Sequence, residues 1–202
     1  MIHTRFLGKH ALLTVRWILL AGLFAGVLQG CAPVVVAGAA AGADVIHDRR
    51  TLGSIVNDDT VELKATGILD TDPQLRHVVH VSAISVNGIV LLTGQAPTTQ
   101  LRDLVLAKIR NIPSIRRILN EIEVAPVSTL AERAQDSWIT TQVETRFLVT
   151  KGLDPTRVKV VTANSIVYLM GLVTQQEGSL AANAAANVRG VVRVVELFEY
   201  IN

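Results

Sequence analysis

Few side chains in this 202-residue sequence have the type and spacing that chemistry requires. His77 and His80 are separated by two valines, and His47 stands upstream of them, behind His3 and His10 near the start. A metal centre would need further ligands in a defined geometry. The sequence has one Cys, which excludes an intrachain disulfide and any Cys-based zinc site. Asp58-Asp59 and the Asp70/Asp72 pair are read as helix-cap and turn residues, not as two carboxylates sharing acid–base work. There is no Gly-x-Ser-x-Gly elbow and no phosphate-cradling glycine loop. Arg116-Arg117, beside a β-rich run, reads as a solvated edge that discourages strand pairing. The expectation is a non-enzymatic protein with no catalytic residue, no metal and no cofactor.

The one Cys carries a different chemistry. Arg5, Lys9 and Arg16 are basic, and no acidic residue occurs before Asp44. An apolar run follows from Trp17 to Leu28. Twelve residues rise only ~18 Å as a helix, too little for a ~30 Å hydrocarbon core. A charged start and a short apolar run read as a secretory signal over residues 1–30. It ends in Leu28-Gln29-Gly30-Cys31, which resembles the lipobox of bacterial lipoproteins, with Cys31 as the lipid acceptor. One acyl chain holds a protein marginally and two or more hold it stably. Ala32 follows Cys31 where an Asp would retain a lipoprotein at the inner membrane, so the resemblance implies the outer membrane, facing the periplasm. Loss of Arg5, Lys9 and Arg16 with the signal leaves 16 basic against 17 acidic residues, about −1 instead of +2. No basic excess remains for nucleic-acid binding.

Behind Cys31, residues 31–54 begin with an Ala, Val and Gly run read as a flexible tether. The remainder is an internal repeat. Asn87-Gly88-Ile89-Val90-Leu91-Leu92-Thr93-Gly94 aligns with Asn164-Ser165-Ile166-Val167-Tyr168-Leu169-Met170-Gly171 at an offset of 77, and Ile115 to Ile118 aligns with Val191 to Val194 at 76. The copies span 55–124 and 132–202, joined by a short linker at 125–131.

Each copy reads helix, strand, strand, helix, strand, an α+β arrangement with two helices on one face of a small mixed sheet. In the second copy Asp136 or Ser137 is read as the cap of a helix running to about Val149. Strands follow at 158–162 and 166–170, then an Ala-rich helix from Gln175 to Val188 and a strand from Val191 to Phe198. Asn87-Gly88 is the favoured type I′ hairpin pair, and Asn164-Ser165 takes its place in the second copy. Gly94 and Gly171 are read as structural glycines just after the second strand, permitting positive φ or close backbone approach.

At 100° per residue, Ile139, Val143 and Phe147 form one stripe, expected to be core. On the far side lie Trp138, Thr141, Thr145 and Leu148, apolar at the ends and hydroxyl-bearing between. Trp suits a membrane interface because its ring is apolar and its N–H can stay wet; the alternative is packing on a sheet edge or the other copy. The first copy has Thr60 or Val61 in its place, so the copies are not equivalent.

The hairpin ending in Leu-Thr-Gly or Leu-Met-Gly, the Ala-rich helix and the Gly-Val-Val-Arg-Val closing strand resemble the BON domain. Two copies behind a lipobox resemble the dual-BON outer-membrane lipoproteins. That resemblance implies a protein that binds anionic phospholipid through the first helix of its second domain, sits at the division site and supports envelope integrity. Arg146, with Lys151, Arg157 and Lys159, is expected to add a positive rim, worth about 1 kcal/mol per basic residue close to the surface. It works against seven acidic and seven basic residues in the copy and against Glu144 on the same helix. The competing reading is an adaptor docking on outer-membrane assembly or cell-wall proteins.

Overall fold

The computed structural model describes residues 48–202. Cys31, His47, the signal and most of the tether lie outside them. The element order is α1 (Leu52–Thr71), β1 (His80–Val86), β2 (Ile89–Ala96), α2 (Thr99–Ile109), β3 (Arg117–Val124), then α3 (Leu130–Leu148), a short 3₁₀ turn (Pro155–Arg157), β4 (Lys159–Ala163), β5 (Ile166–Val173), α4 (Gln175–Ala186) and β6 (Arg193–Tyr200). Each copy is αββαβ, as the periodicity predicts.

The three-stranded sheets have the orders β1-β2-β3 and β4-β5-β6. In each, a hairpin makes the first pair antiparallel, and a helical crossover makes the second pair parallel. Both hairpins turn through two residues at positive φ: Asn87 (52°) and Gly88 (73°), Asn164 (52°) and Ser165 (61°). That is the type I′ geometry, which matches the right-handed twist of the strands.

The apolar residues sort into three clusters because strand side chains alternate. Val90 and Leu92 of β2 face their own helices, among Val61, Ala65, Leu69, Val105 and Ile109. Val167 and Leu169 of β5 do the same with Ile139, Val143, Phe147, Ala181 and Ala185. The intervening residues, Ile89, Leu91, Tyr168 and Met170, join Val86 in a third cluster between the two sheets. The copies therefore pack back to back through their sheets, with helices outside. This explains why all eight residues of β2 are buried: one face is covered by helices and the other by the partner sheet. Each large apolar side chain so buried contributes about 1.5–3 kcal/mol.

Three local expectations change. Gly94 and Gly171 lie inside β2 and β5, not after them. Their φ values are +115° and +154°. A Cβ would sit 2.0 Å from the His80 carbonyl oxygen at Gly94 and 2.1 Å from that of Arg157 at Gly171, so both reasons offered for a glycine apply. Second, α3 starts six residues before Asp136. Its N-cap is Thr129, in a capping box with Glu132, so the helix takes up the end of the segment read as linker. Third, the tether is not free at its end. Arg49 and Arg50 are ion-paired, and Thr51 caps α1.

Candidate functional site

Starting α3 at Leu130 enlarges its outward face. At 100° per residue, Leu130, Ala134, Trp138, Thr141, Thr145, Leu148 and the C-cap Val149 fall in one arc about 100° wide. That arc contains no charged residue. Ile139, Val143 and Phe147 are fully buried on the other side. Leu130 is 76% exposed, Trp138 48%, Leu148 71% and Val149 73%. Trp138 belongs to none of the three apolar clusters.

The hydroxyls of this face are turned inward. Thr141 donates to the Ser137 carbonyl at 3.0 Å and Thr145 to the Thr141 carbonyl at 2.7 Å. Bonding to the preceding turn satisfies each hydroxyl without water. The stripe is thus less polar than its composition suggests. Nineteen residues of helix make it about 28 Å long.

The electrostatics differ from the expected rim. Arg146 is exposed and lies about 80° around the helix from Trp138, on the flank. Arg157 points inward, 2.6 Å from Glu177, and Lys159 borders the cleft between the copies. Of the expected cations, then, Arg157 is spent on internal pairing. Glu144 is exposed, outside the charge-free arc.

The remaining polar residues act as joints. Asp58 is not a helix cap: it is buried in the middle of α1. It accepts from the Asn87 and Gly88 amides at 2.7 and 2.8 Å, from the Ser85 hydroxyl at 2.7 Å and from Arg50 at 3.0 Å. Asp136 holds the other hairpin in the same way, accepting from the Asn164 and Ser165 amides at 2.9 and 2.8 Å. That is its role in place of capping. Asp72 is the C-cap residue of α1 and pairs with Lys108. Among the described residues, no three His, Cys, Asp or Glu side chains gather as a metal site.

The two turn asparagines also lock the copies together. Asn87 donates to Glu199 at 2.7 Å, and Asn164 donates to Glu123. Each hairpin thus bonds to the last strand of the other copy. Arg116 adds to the first lock, 3.1 Å from Glu199, so it is a joint and not a bare edge. A second joint is the residue pair before α1. Arg49 holds Glu177 of the second copy through two bonds of 2.6 and 3.1 Å, while Arg50 holds Asp58 of the first. Burial tends to raise the Glu177 pKa, but Arg49, Arg157 and its capping bonds to Thr174 outweigh it and bring it to about 2. Sequence reading missed these joints because their partners lie up to 128 residues away. The repeated turn asparagine was the only local signal.

Both repeats match a known family. The BON domain family model matches residues 57–126 and 135–202. The chain is 37% identical over 175 residues to the outer membrane lipoprotein DolP of Haemophilus influenzae, covering 87% of this chain and 91% of that one. It is 32% identical over 154 residues to a 21 kDa hemolysin of Actinobacillus pleuropneumoniae, covering 76% and 79%. Among solved structures, CdsD, a structural protein of the type III secretion system of Chlamydia trachomatis, matches at 13% identity and a TM-score of 0.29 over 71% of this chain and 63% of that one. With both repeats matched and most of a lipoprotein relative covered, the chain belongs to the BON-domain family, as a dual-BON outer-membrane lipoprotein of the cell envelope.

Proposed function

We propose that the protein is anchored through Cys31, faces the periplasm, and presses the outward face of α3 onto anionic phospholipid of the outer membrane. In this reading it has no catalytic activity and supports envelope integrity at the division site. The observation that carries the lipid contact is the charge-free arc of α3, with Trp138 at its middle and Leu130, Leu148 and Val149 at its ends. Apolar side chains on one helical face lie well at the headgroup–acyl boundary, and Trp is favoured there. With no charged residue inside the arc, apolar insertion supplies most of the affinity. The anchor raises the local concentration at which that weak contact operates.

The test is vesicle binding beside circular dichroism. Trp138→Glu places a carboxylate where it stays solvated in the free protein but must be desolvated at the membrane. The expected result is an unchanged fold and at least a roughly tenfold weaker association with phosphatidylglycerol vesicles, about 1.4 kcal/mol. Ile139→Glu buries the charge in the core and unfolds the copy. A folded Trp138→Glu protein that still binds anionic vesicles overturns the lipid contact and favours the adaptor reading.

A further inference from the structure

A cleft between the two copies plays no part in the α3 contact. It opens between β1 and β2 of the first copy and α3 and β4 of the second, with a volume of about 410 Å³, inside the usual range for small-molecule sites. Three basic residues border it from three elements: His80 of β1, Arg133 of α3 and Lys159 of β4. Arg133 gives one bond to the Ser128 carbonyl, at 2.6 Å, which leaves the rest of its fork available. Lys159 has no ion pair among the described residues. The acid on the wall is Asp136, and both of its oxygens already accept hairpin amides. Ser82 adds a hydroxyl.

We propose that this cleft is a binding site for a small oxyanion of the phosphate class, separate from the outward face of α3. A planar carboxylate is satisfied by one guanidinium fork. Donors arriving from three walls suit a tetrahedral anion with oxygens in several directions. Burial and the nearby Arg133 charge lower the His80 pKa. At neutral pH the imidazole therefore offers one neutral N–H donor, while Arg133 and Lys159 supply the positive charge against Asp136. The source of the anion is either free phosphate or the phosphoryl group of a lipid headgroup. The site does not rest on the Trp138 reading, because Arg133 and Thr140 lie about 110° and about 130° around the helix from the centre of that face.

The experiment follows the His80 ring by NMR in the full chain, held in phosphatidylcholine nanodiscs. In one arm inorganic phosphate is titrated at constant ionic strength, with chloride as the control. In the other, phosphatidylglycerol replaces part of the disc lipid and no phosphate is added. A saturable His80 shift in the first arm identifies free phosphate as the source. A shift confined to the second identifies the headgroup; either result supports the site. Lys159→Ala and Arg133→Gln are each expected to weaken the response roughly tenfold. Lys159 is solvent-facing, so its variant keeps the test valid even if Arg133→Gln disturbs the linker. Trp138→Glu is expected to leave the phosphate response intact, whatever it does to vesicle binding. The proposal is overturned by a silent His80 in both arms, by an equal shift with chloride, by an unchanged response in Lys159→Ala, or by loss of the phosphate response in a folded Trp138→Glu.

Discussion

The first helices of the two copies, α1 and α3, start from the same plan and finish differently. Val61, Ala65 and Leu69 in α1 take the buried places of Ile139, Val143 and Phe147 in α3. Outside, α1 presents Leu52, Val56 and Leu63, all well exposed. It puts Thr60 where α3 has Trp138, and Asp70 where α3 has Leu148. An exposed aliphatic stripe is thus common to both helices and cannot by itself set one apart. What distinguishes α3 is one aromatic ring and the absence of charge along the whole arc. The asymmetry continues inside. Glu177 on α4 is held by Arg49 and Arg157, whereas Leu101, Val127 and His80 occupy the matching places around the first copy and form no such cluster. The common sheet and glycine framework fixes the fold of both copies, and the divergence sits where charge and aromatic character can change without moving the backbone.

The largest expected effect tests what the copies share. Gly94→Val and Gly171→Val each drive a side chain into a backbone carbonyl, that of His80 at the start of β1 and that of Arg157 at the end of the turn before β4. Because a backbone carbonyl cannot swing aside as a flexible side chain can, each should cost about 3 kcal/mol or more, measured by chemical denaturation. A loss in one variant only would show that the two hairpins are not built alike.

The next effect tests the ionic joint centred on Glu177 of the second copy. Glu177 has a folded pKa of about 2 against an ordinary 4.5. A lowered folded pKa gives stability that is fully present above the ordinary value and is lost as pH falls through the folded one. Stability should therefore drop between about pH 4.5 and pH 2 by on the order of 2–3 kcal/mol from this group. Glu177→Gln should flatten that part of the profile and lower stability at neutral pH. A wild-type profile without this slope would remove the joint from the energetics.

Smaller still is the difference between the two turns. Ser165 adopts φ +61° where the first copy has Gly88 at +73°. Ser165→Gly relieves the left-handed strain at some cost in unfolded-chain entropy, for a net gain of about 0.5 kcal/mol. Gly88→Ser should lose about 1 kcal/mol, since its Cβ would lie 3.0 Å from the Ser114 carbonyl. Thermal melts of both variants check the sign. The smallest effect is the most direct test of the contrast between the helices. Leu63→Glu, on the exposed stripe of α1, should leave the fold intact and change vesicle binding by less than about twofold, or ~0.4 kcal/mol. A loss as large as that of Trp138→Glu would make α1 an equal partner in the contact.

By itself, the sequence determined the repeat, the αββαβ order, the type I′ turns, the need for Gly94 and Gly171 and the phase of α3. These follow from local rules: alternation in strands, 100° spacing in helices and steric limits at positive φ. It also displayed Trp138, because an aromatic residue opposite a core stripe is visible in the periodicity. The start of α3 was misplaced because Asp136 looks like a cap; only the folded hairpin reveals that its carboxylate is taken by two amides 28 and 29 residues away. Tertiary structure alone decided the rest. Burial of the second faces of both sheets against each other, the exchange of Asn87 and Asn164 between copies, the straddling pair Arg49 and Arg50, and the cleft lined by His80, Arg133 and Lys159 all depend on contacts between residues far apart in the chain. No local pattern encodes such contacts, since a polar side chain reads the same in sequence whether its partner is water or another domain.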